Sequence, residues 1–307
     1  MNLVSLLRGL LGLLLILGIA VLFSNNRRRI NWRLVGMGVL IQVVFAVFIL
    51  YADRLRAWFA PLGWPKAVIS WLGGAIVSLL NFTTEGSQFV FGRLATNSGP
   101  DSLGVYFAFQ VLPTIIFVAT LTSVLYYLGI LQAVVKGMAW LMAKLMGTSG
   151  AESLSNTANI FVGQTEAPLL IKPYIGTMTN SEILTIMVGG MATIAGGVMA
   201  AYIQMLGQAM SEVYQIPLAE AQLRFAVQLL AASVMAAPAG LLISKILFPE
   251  TGTPATKGKV NLKVEKNADN VIEAAATGAG DGMQLALNVG AMLIAFIAGI
   301  ALINYLF

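Results

Sequence analysis

Residues 151–176 read A-E-S-L-S-N-T-A-N-I-F-V-G-Q-T-E-A-P-L-L-I-K-P-Y-I-G and set Gln164, Thr165 and Glu166 between two apolar arms. Each arm holds roughly a dozen residues. As a helix rising about 1.5 Å per residue it covers about 18 Å, against a hydrocarbon core of about 30 Å. Neither arm is long enough to cross. The spacing therefore predicts a re-entrant hairpin that enters a bilayer, turns near the midplane at G-Q-T-E-A-P and leaves by the same face. Non-helical backbone at that depth persists only where it is buried in protein or lines a cavity, so the turn is expected to face a site. Pro168 suits the first turn of the returning arm, where a missing N–H costs nothing, and Gly163 lets the chain turn.

The rest of the chain has the composition of an integral membrane protein. Hydrophobic residues make up 58% of the 307 and charged ones 10%, with a mean hydropathy of +0.84, which is too apolar for a soluble domain. Cysteine and histidine are absent. That removes disulfides, thiol nucleophiles, histidine zinc sites and any Ser-His-Asp triad. An enzyme would be left with unsupported serines and threonines, and no organic cofactor is expected. The net charge of +5 comes from 18 Lys and Arg placed mostly in short loops, where they set orientation and imply no nucleic acid partner.

The predicted class is all-α, with six transmembrane helices over 3–23, 34–51, 105–128, 181–206, 225–248 and 285–307. The first is followed at once by Arg27, Arg28, Arg29 and Arg33, whereas a cleaved signal peptide carries its charge ahead of the apolar run. Residues 57–104 hold no clean span, being interrupted by Trp58, Pro61, Trp64, Pro65, Lys66, Trp71, Glu85 and Arg93, and an interfacial helix is expected near 67–80. Pro113 reads as a kink. Residues 131–145, with Lys136, Trp140 and Lys144, read as an amphipathic helix along the inner face, and 249–270 as a polar loop holding Lys257, Lys259, Lys263 and Lys266. In this topology twelve Lys and Arg lie inside and six outside, as the positive-inside tendency requires. Both termini then lie outside, and the hairpin opens from the cytoplasmic side.

Two features point to binding. An acidic residue at mid-membrane costs about 2.5 to 3.5 kcal/mol on insertion scales, so Glu166 requires a partner or a wet cavity and is assigned a ligand or ion role. Gln164 adds donors and an acceptor and Thr165 a hydroxyl, a set that suits one edge of a planar heterocycle. Within 181–206 the run G-G-M-A-T-I-A-G-G at 189–197 predicts either close helix packing or a helix broken at mid-membrane, freeing carbonyls such as that of Ile194 for a cation. Asn159 and Thr193 are the accompanying candidates, each equally able to bond across a helix interface.

These residues resemble a known family. G-Q-T-E-A-P-L-L at 163–170, preceded by N-I-F-V at 159–162 and followed by A-T-I-A-G-G-V at 192–198, looks like the concentrative nucleoside transporters of bacteria. The likeness extends through V-L-P-T-I-I-F at 111–117, L-Y-Y-L-G at 125–129 and L-A-L-N-V-G-A-M-L-I-A-F at 285–296. The resemblance implies a homotrimer in the cell inner membrane, in contact with lipid, that carries nucleoside into the cytoplasm by an elevator movement. It further implies nucleobase contacts from Gln164, Thr165, Glu166 and Val198, and sodium ligands from Asn159, Val162, Thr193 and Ile194. The corresponding division is scaffold over 1–130, half of a transport domain over 131–250, a cytoplasmic loop and connection over 251–284, and a last scaffold helix over 285–307.

Members of that family continue for roughly another hundred residues, with a second hairpin and two further spans forming the inverted partner of this repeat. A lone repeat leaves the hairpin tip without a facing surface, so the chain is expected to be a piece of a longer protein. The leading expectation is sodium-coupled symport of uridine-like nucleosides. The alternatives are proton coupling through Glu166 and a trimeric scaffold that does not transport.

Overall fold

A computed structural model of the chain describes residues 3–96, 103–104, 106–164, 166–258 and 268–307, with side chains from Leu7 onward. Among the described residues the regular elements are helical. They are α1 (Leu3–Leu22), α2 (Trp32–Leu50), α3 (Ala52–Trp58), α4 (Trp64–Phe91), α5 (Phe107–Gln110), α6 (Leu112–Tyr127), α7 (Ile130–Met146), α8 (Gly150–Ala158), α9 (Asn180–Ala192), α10 (Gly196–Tyr214), α11 (Leu218–Leu247) and α12 (Val271–Leu306). A run of 3-10 turns covers Ala167–Thr177. Among the described residues six stretches are long and apolar enough to cross a membrane: Trp32–Leu50, Ala60–Ala95, Phe107–Tyr127, Asn180–Tyr214, Leu218–Leu247 and Val271–Leu306. α1 is a further apolar helix.

The chain forms two compact units. The first comprises Met1–Gly63, Gln132–Ile194 and Ala232–Val264. Its apolar core joins Ala20 of α1, Leu34 and Val35 of α2, Met142 and Met146 of α7, and Leu241, Leu242 and Ile246 of α11. Gly38 permits the approach of α2 to α11, since a Cβ there would lie 2.9 Å from Leu242 Cδ2. The arginines after α1 do more than orient it. Arg27 donates to the carbonyls of Val21 at 3.1 Å and Leu22 at 2.6 Å, meeting acceptors that the helix end leaves open.

The second unit comprises Trp64–Leu131, Ala195–Ala231 and Glu265–Phe307. Val111, Ile115, Ala201 and Ala286 form its core, where α6 meets α10 and α12. A buried polar chain ties α6 to α10: the Thr114 hydroxyl donates to Gln204 Oε1 at 2.7 Å, and Gln204 Nε2 donates to the Gln110 carbonyl at 2.7 Å.

Several elements differ from expectation. The short interfacial helix expected near 67–80 is instead the 28-residue α4, which runs unbroken to Phe91. Of the residues read as interruptions, Trp58 and Pro61 precede α4, Arg93 follows it, and Pro65 falls in its first turn, where a proline leaves the ladder intact. Within α4, Ser78, Thr83, Thr84 and Ser87 each donate to the carbonyl four residues earlier. Pro113 opens α6 rather than kinking its middle, the one place where a proline leaves the ladder intact. The last helix begins at Val271, well ahead of 285, with the Asn270 side chain accepting from Glu273 N at 2.9 Å. The small residues of 274–282 read as a connection, yet they form a packing seam. Added Cβ atoms at Gly278 and Gly282 would lie 2.9 Å from Thr120 Cα and 2.8 Å from Ile116 Cα of α6. Of the loop lysines, Lys257 is exposed, while Lys259, Lys263 and Lys266 lie outside the described residues.

Candidate functional site

The first unit holds two interrupted helical segments side by side. α8 begins with Ser149 accepting from Glu152 N while the Glu152 carboxylate accepts from Ser149 N. α9 begins the same way with Thr179 and Glu182. These reciprocal caps satisfy donors that a helix start leaves orphaned. The two starts are then joined, because the Ser149 hydroxyl donates to Glu182 Oε1. From the last turn of α11, Lys245 Nζ reaches Glu152 Oε2 at 2.7 Å, Ser181 Oγ at 2.9 Å and Glu250 Oε2 at 3.3 Å. The loop after α11 closes the same end, with Gly150 N–H donating to the Thr256 carbonyl at 3.0 Å.

From this anchored end α8 runs only nine residues, all of them buried, and stops at Asn159. The returning arm is not the helix expected but 3-10 turns over Ala167–Thr177, with Pro168 at its start and Pro173 inside. Each proline removes a backbone donor, and Pro173 also disfavours α-helical geometry in the residue before it, so i→i+3 turns replace the α ladder. The sequence 151–176 is thus two short segments around a non-helical turn.

The second interruption separates α9 from α10 at residues 193–195. Thr193 is extended (φ −111°, ψ 162°), and Ala195 is also outside helical geometry (φ −57°, ψ 141°). The Thr193 hydroxyl donates to the Gly189 carbonyl at 2.8 Å.

The site residues read from sequence are distributed as follows. Asn159 caps the end of α8, is 1% exposed, and has no partner for either Oδ1 or Nδ2 among the described residues. Val162 is buried in the turn. The carbonyls of Asn159, Val162, Thr193 and Ile194 accept no hydrogen bond from the described residues. Gln164 lies against α9, its Cβ 3.1 Å from where a Cβ on Gly190 would stand. Glu166 is exposed and forms no ion pair or side-chain hydrogen bond among the described residues. Lys172, the nearest basic residue in the sequence, is exposed. Thr165 lies outside the described residues, and Val198 stands on the first turn of α10, in the second unit.

Three features escaped the sequence reading. Lys245, near the end of the span expected over 225–248, is buried against Glu152. The second S/T-x-x-E pattern, Thr179 to Glu182, repeats the first at Ser149 to Glu152 and was the available signal for paired helix starts. Asn156, fully buried beside Gly189 and Gly240, left no such signal, since its neighbours come from distant stretches.

Comparison with known proteins places these features. Residues 11–94 match the N-terminal domain of the Na+ dependent nucleoside transporters, residues 228–307 match their C-terminal domain, and residues 108–209 match a nucleoside recognition (Gate) domain. The uncharacterized transporter YutK of Bacillus subtilis is 42% identical over 301 residues, covering 98% of this chain and 67% of YutK. The nucleoside permease NupC of Helicobacter pylori is 41% identical, covering 98% of this chain and 65% of NupC. The chain therefore spans about two thirds of the length of these bacterial relatives. Among solved structures, CNTnw in an inward-facing substrate-bound state superposes with a TM-score of 0.80 at 40% identity, over 97% of this chain and 64% of that one. A variant of CNTnw in an outward-facing state gives a TM-score of 0.82 over 65% of that chain. With identity and fold agreeing along almost its whole length, the chain belongs to the Na+ dependent, concentrative nucleoside transporters, a family of multi-pass membrane permeases and not of enzymes.

Proposed function

We propose that this chain carries the cation-binding part and much of the nucleobase-binding part of a sodium-coupled nucleoside symporter of the inner membrane. The observation that supports this most directly is Asn159. It is buried at the end of a helix too short to cross, and neither of its polar atoms has a hydrogen-bond partner among the described residues. Leaving such a group unmet costs about 1–3 kcal/mol. A sodium ion held by Asn159 Oδ1, the Thr193 hydroxyl and the carbonyls of Val162 and Ile194 offsets that cost, in the manner of cation sites at interrupted transporter helices.

At the tip, Gln164, Thr165 and Glu166 read the edge of a nucleobase, uridine-like in the simplest case, with Val198 packing on the ring. The ionised glutamate supplies acceptors only, while the glutamine supplies both donors and an acceptor. Coupling follows from the shared turn, which carries Asn159 and Val162 and, directly after them, Gln164 and Glu166. A cation that orders the turn favours nucleoside binding, and nucleoside raises the affinity for cation by the same factor. In this reading the working protein is a lipid-embedded homotrimer. Residues 1–130 and 285–307 serve as scaffold, 251–284 connect, and 131–250 ride with the substrate in an elevator movement.

The test is uptake of labelled uridine by the full-length protein in proteoliposomes. Uptake is expected to require an inward sodium gradient and to vanish in Glu166→Gln at unchanged protein level. Normal uptake by that variant removes the hairpin from the mechanism. Uptake that ignores sodium but collapses with the pH gradient assigns the coupling to protons, with Glu166 as the titrating group. Absence of saturable uridine binding leaves a scaffold that does not transport.

A further inference from the structure

Asn156 lies one turn before Asn159 on α8 and is fully buried. Its Nδ2 donates to the Glu152 carbonyl within α8 at 3.0 Å and to the Thr185 carbonyl of α9 at 3.3 Å. Its Oδ1 has no hydrogen-bond partner among the described residues. That oxygen is seated in a notch of glycine backbone. A Cβ added at Gly189 would fall inside its van der Waals envelope, and one added at Gly240 of α11 would lie 3.4 Å from it. One carboxamide therefore sets how closely α8 approaches α9, at the residue whose carbonyl receives the Thr193 hydroxyl. A longer side chain at 189 would separate the helices, and a shorter one at 156 would leave the notch empty.

We infer that Asn156 is a positioning residue for cation binding: by seating against Gly189 it fixes the separation between the end of α8, which presents Asn159, and the break after α9, which presents Thr193. It touches neither sodium nor nucleoside. The inference rests on the sodium reading given above, and it assigns to Asn156 and Gly189 a role that the hairpin motif does not reach. Oxygen ligands contributed by two separate helices bind a small cation only if the helices are held at one spacing, and residues that orient ligands typically change metal affinity by 10- to 100-fold when removed.

The experiment measures equilibrium binding of labelled uridine to the full-length purified protein as sodium is varied, with thermal melting alongside. Asn156→Ala is expected to raise the half-saturating sodium concentration by about tenfold or more, while uridine affinity at saturating sodium stays within about twofold of wild type. Gly189→Ala is expected to do the same and serves as the second variant if Asn156→Ala is not recovered from membranes. Gly240→Ala, whose methyl makes only ordinary contact, is expected to keep wild-type sodium dependence. Leu242→Ala is expected to lower the melting temperature without moving the sodium dependence. In the double variant Asn156→Ala with Gly189→Ala, the added methyl enters the vacated notch, so the combined shift is expected to be smaller than the two single shifts together.

Asn159→Ala and Thr193→Ala are measured in parallel. If both shift sodium dependence while Asn156→Ala and Gly189→Ala leave it unchanged, the positioning role is overturned and the cation site stands. If Asn159→Ala and Thr193→Ala themselves keep wild-type dependence, the cation site falls and this role with it. A shift in Gly240→Ala or Leu242→Ala as large as that in Asn156→Ala overturns the inference too, since loss of general packing would then account for it.

Discussion

Lys245 Nζ lies 2.7 Å from Glu152 Oε2, and the two side chains are 5% and 1% exposed. The pair links the last turn of α11 to the first turn of α8 and is what the hairpin stands on. Removing one member of a buried pair leaves an uncompensated charge and typically costs about 3–5 kcal/mol. Lys245→Met is therefore expected to lower the melting temperature of the purified protein sharply, and adding Glu152→Gln to recover much of the loss. Wild-type melting in Lys245→Met would mean that the pair supports nothing.

The two reciprocal caps predict a graded effect. Loss of a hydroxyl cap costs about 1 kcal/mol, and both Ser149→Ala and Thr179→Ala are expected to show it in thermal melts. Ser149→Ala is expected to be the worse, because its hydroxyl also serves the fully buried Glu182, whereas Thr179 serves the partly exposed Glu250. Equal losses would count against the bridge between the helix starts.

Along α12 the glycines separate by environment. A methyl at Gly282 would lie 2.8 Å from Ile116 Cα, a backbone atom unable to move aside, while Gly280 meets nothing within 4 Å. Gly282→Ala is expected to destabilise by about 1–3 kcal/mol through overpacking. Gly280→Ala is expected to stabilise by up to about 1 kcal/mol through helix propensity. Melting temperatures moving in the same direction for both would contradict the packing seam.

Thr114→Val keeps the shape of the side chain and removes the hydroxyl that donates to Gln204 Oε1. With that buried oxygen left unmet, a loss of about 1–3 kcal/mol is expected in thermal unfolding. Thr114→Ser, which retains the donor, is expected to keep more of the stability. No difference between the two variants would show that the hydrogen bond is not what holds α6 to α10.

The non-helical turn after Asn159 was legible in the sequence, and the glycine run announced either close packing or the break that forms after Ala192, because local chemistry governs both. Arms too short for the bilayer, Pro168 and the glycine run at 189–197 act within a few residues of where they sit. α4 and α12 were read too short for the opposite reason. Pro65 falls in the first turn of α4 and Glu85 is carried inside the helix without breaking it, and the glycines of 274–282 read as a connection until α6 supplies the surface they pack against. Lys245 and Asn156 were not legible as they stand, since their partners come from other helices.

The two limbs of the hairpin are unequal. Every residue of α8 is buried and its start is locked by charge, whereas in the 3-10 run only Ala167, Leu170 and Ile171 are buried and two prolines deprive it of donors. One limb is a fixed post and the other a loose strap, so a solute displacing the tip would bend the strap and leave the post, with Asn159 at its end, standing where it was.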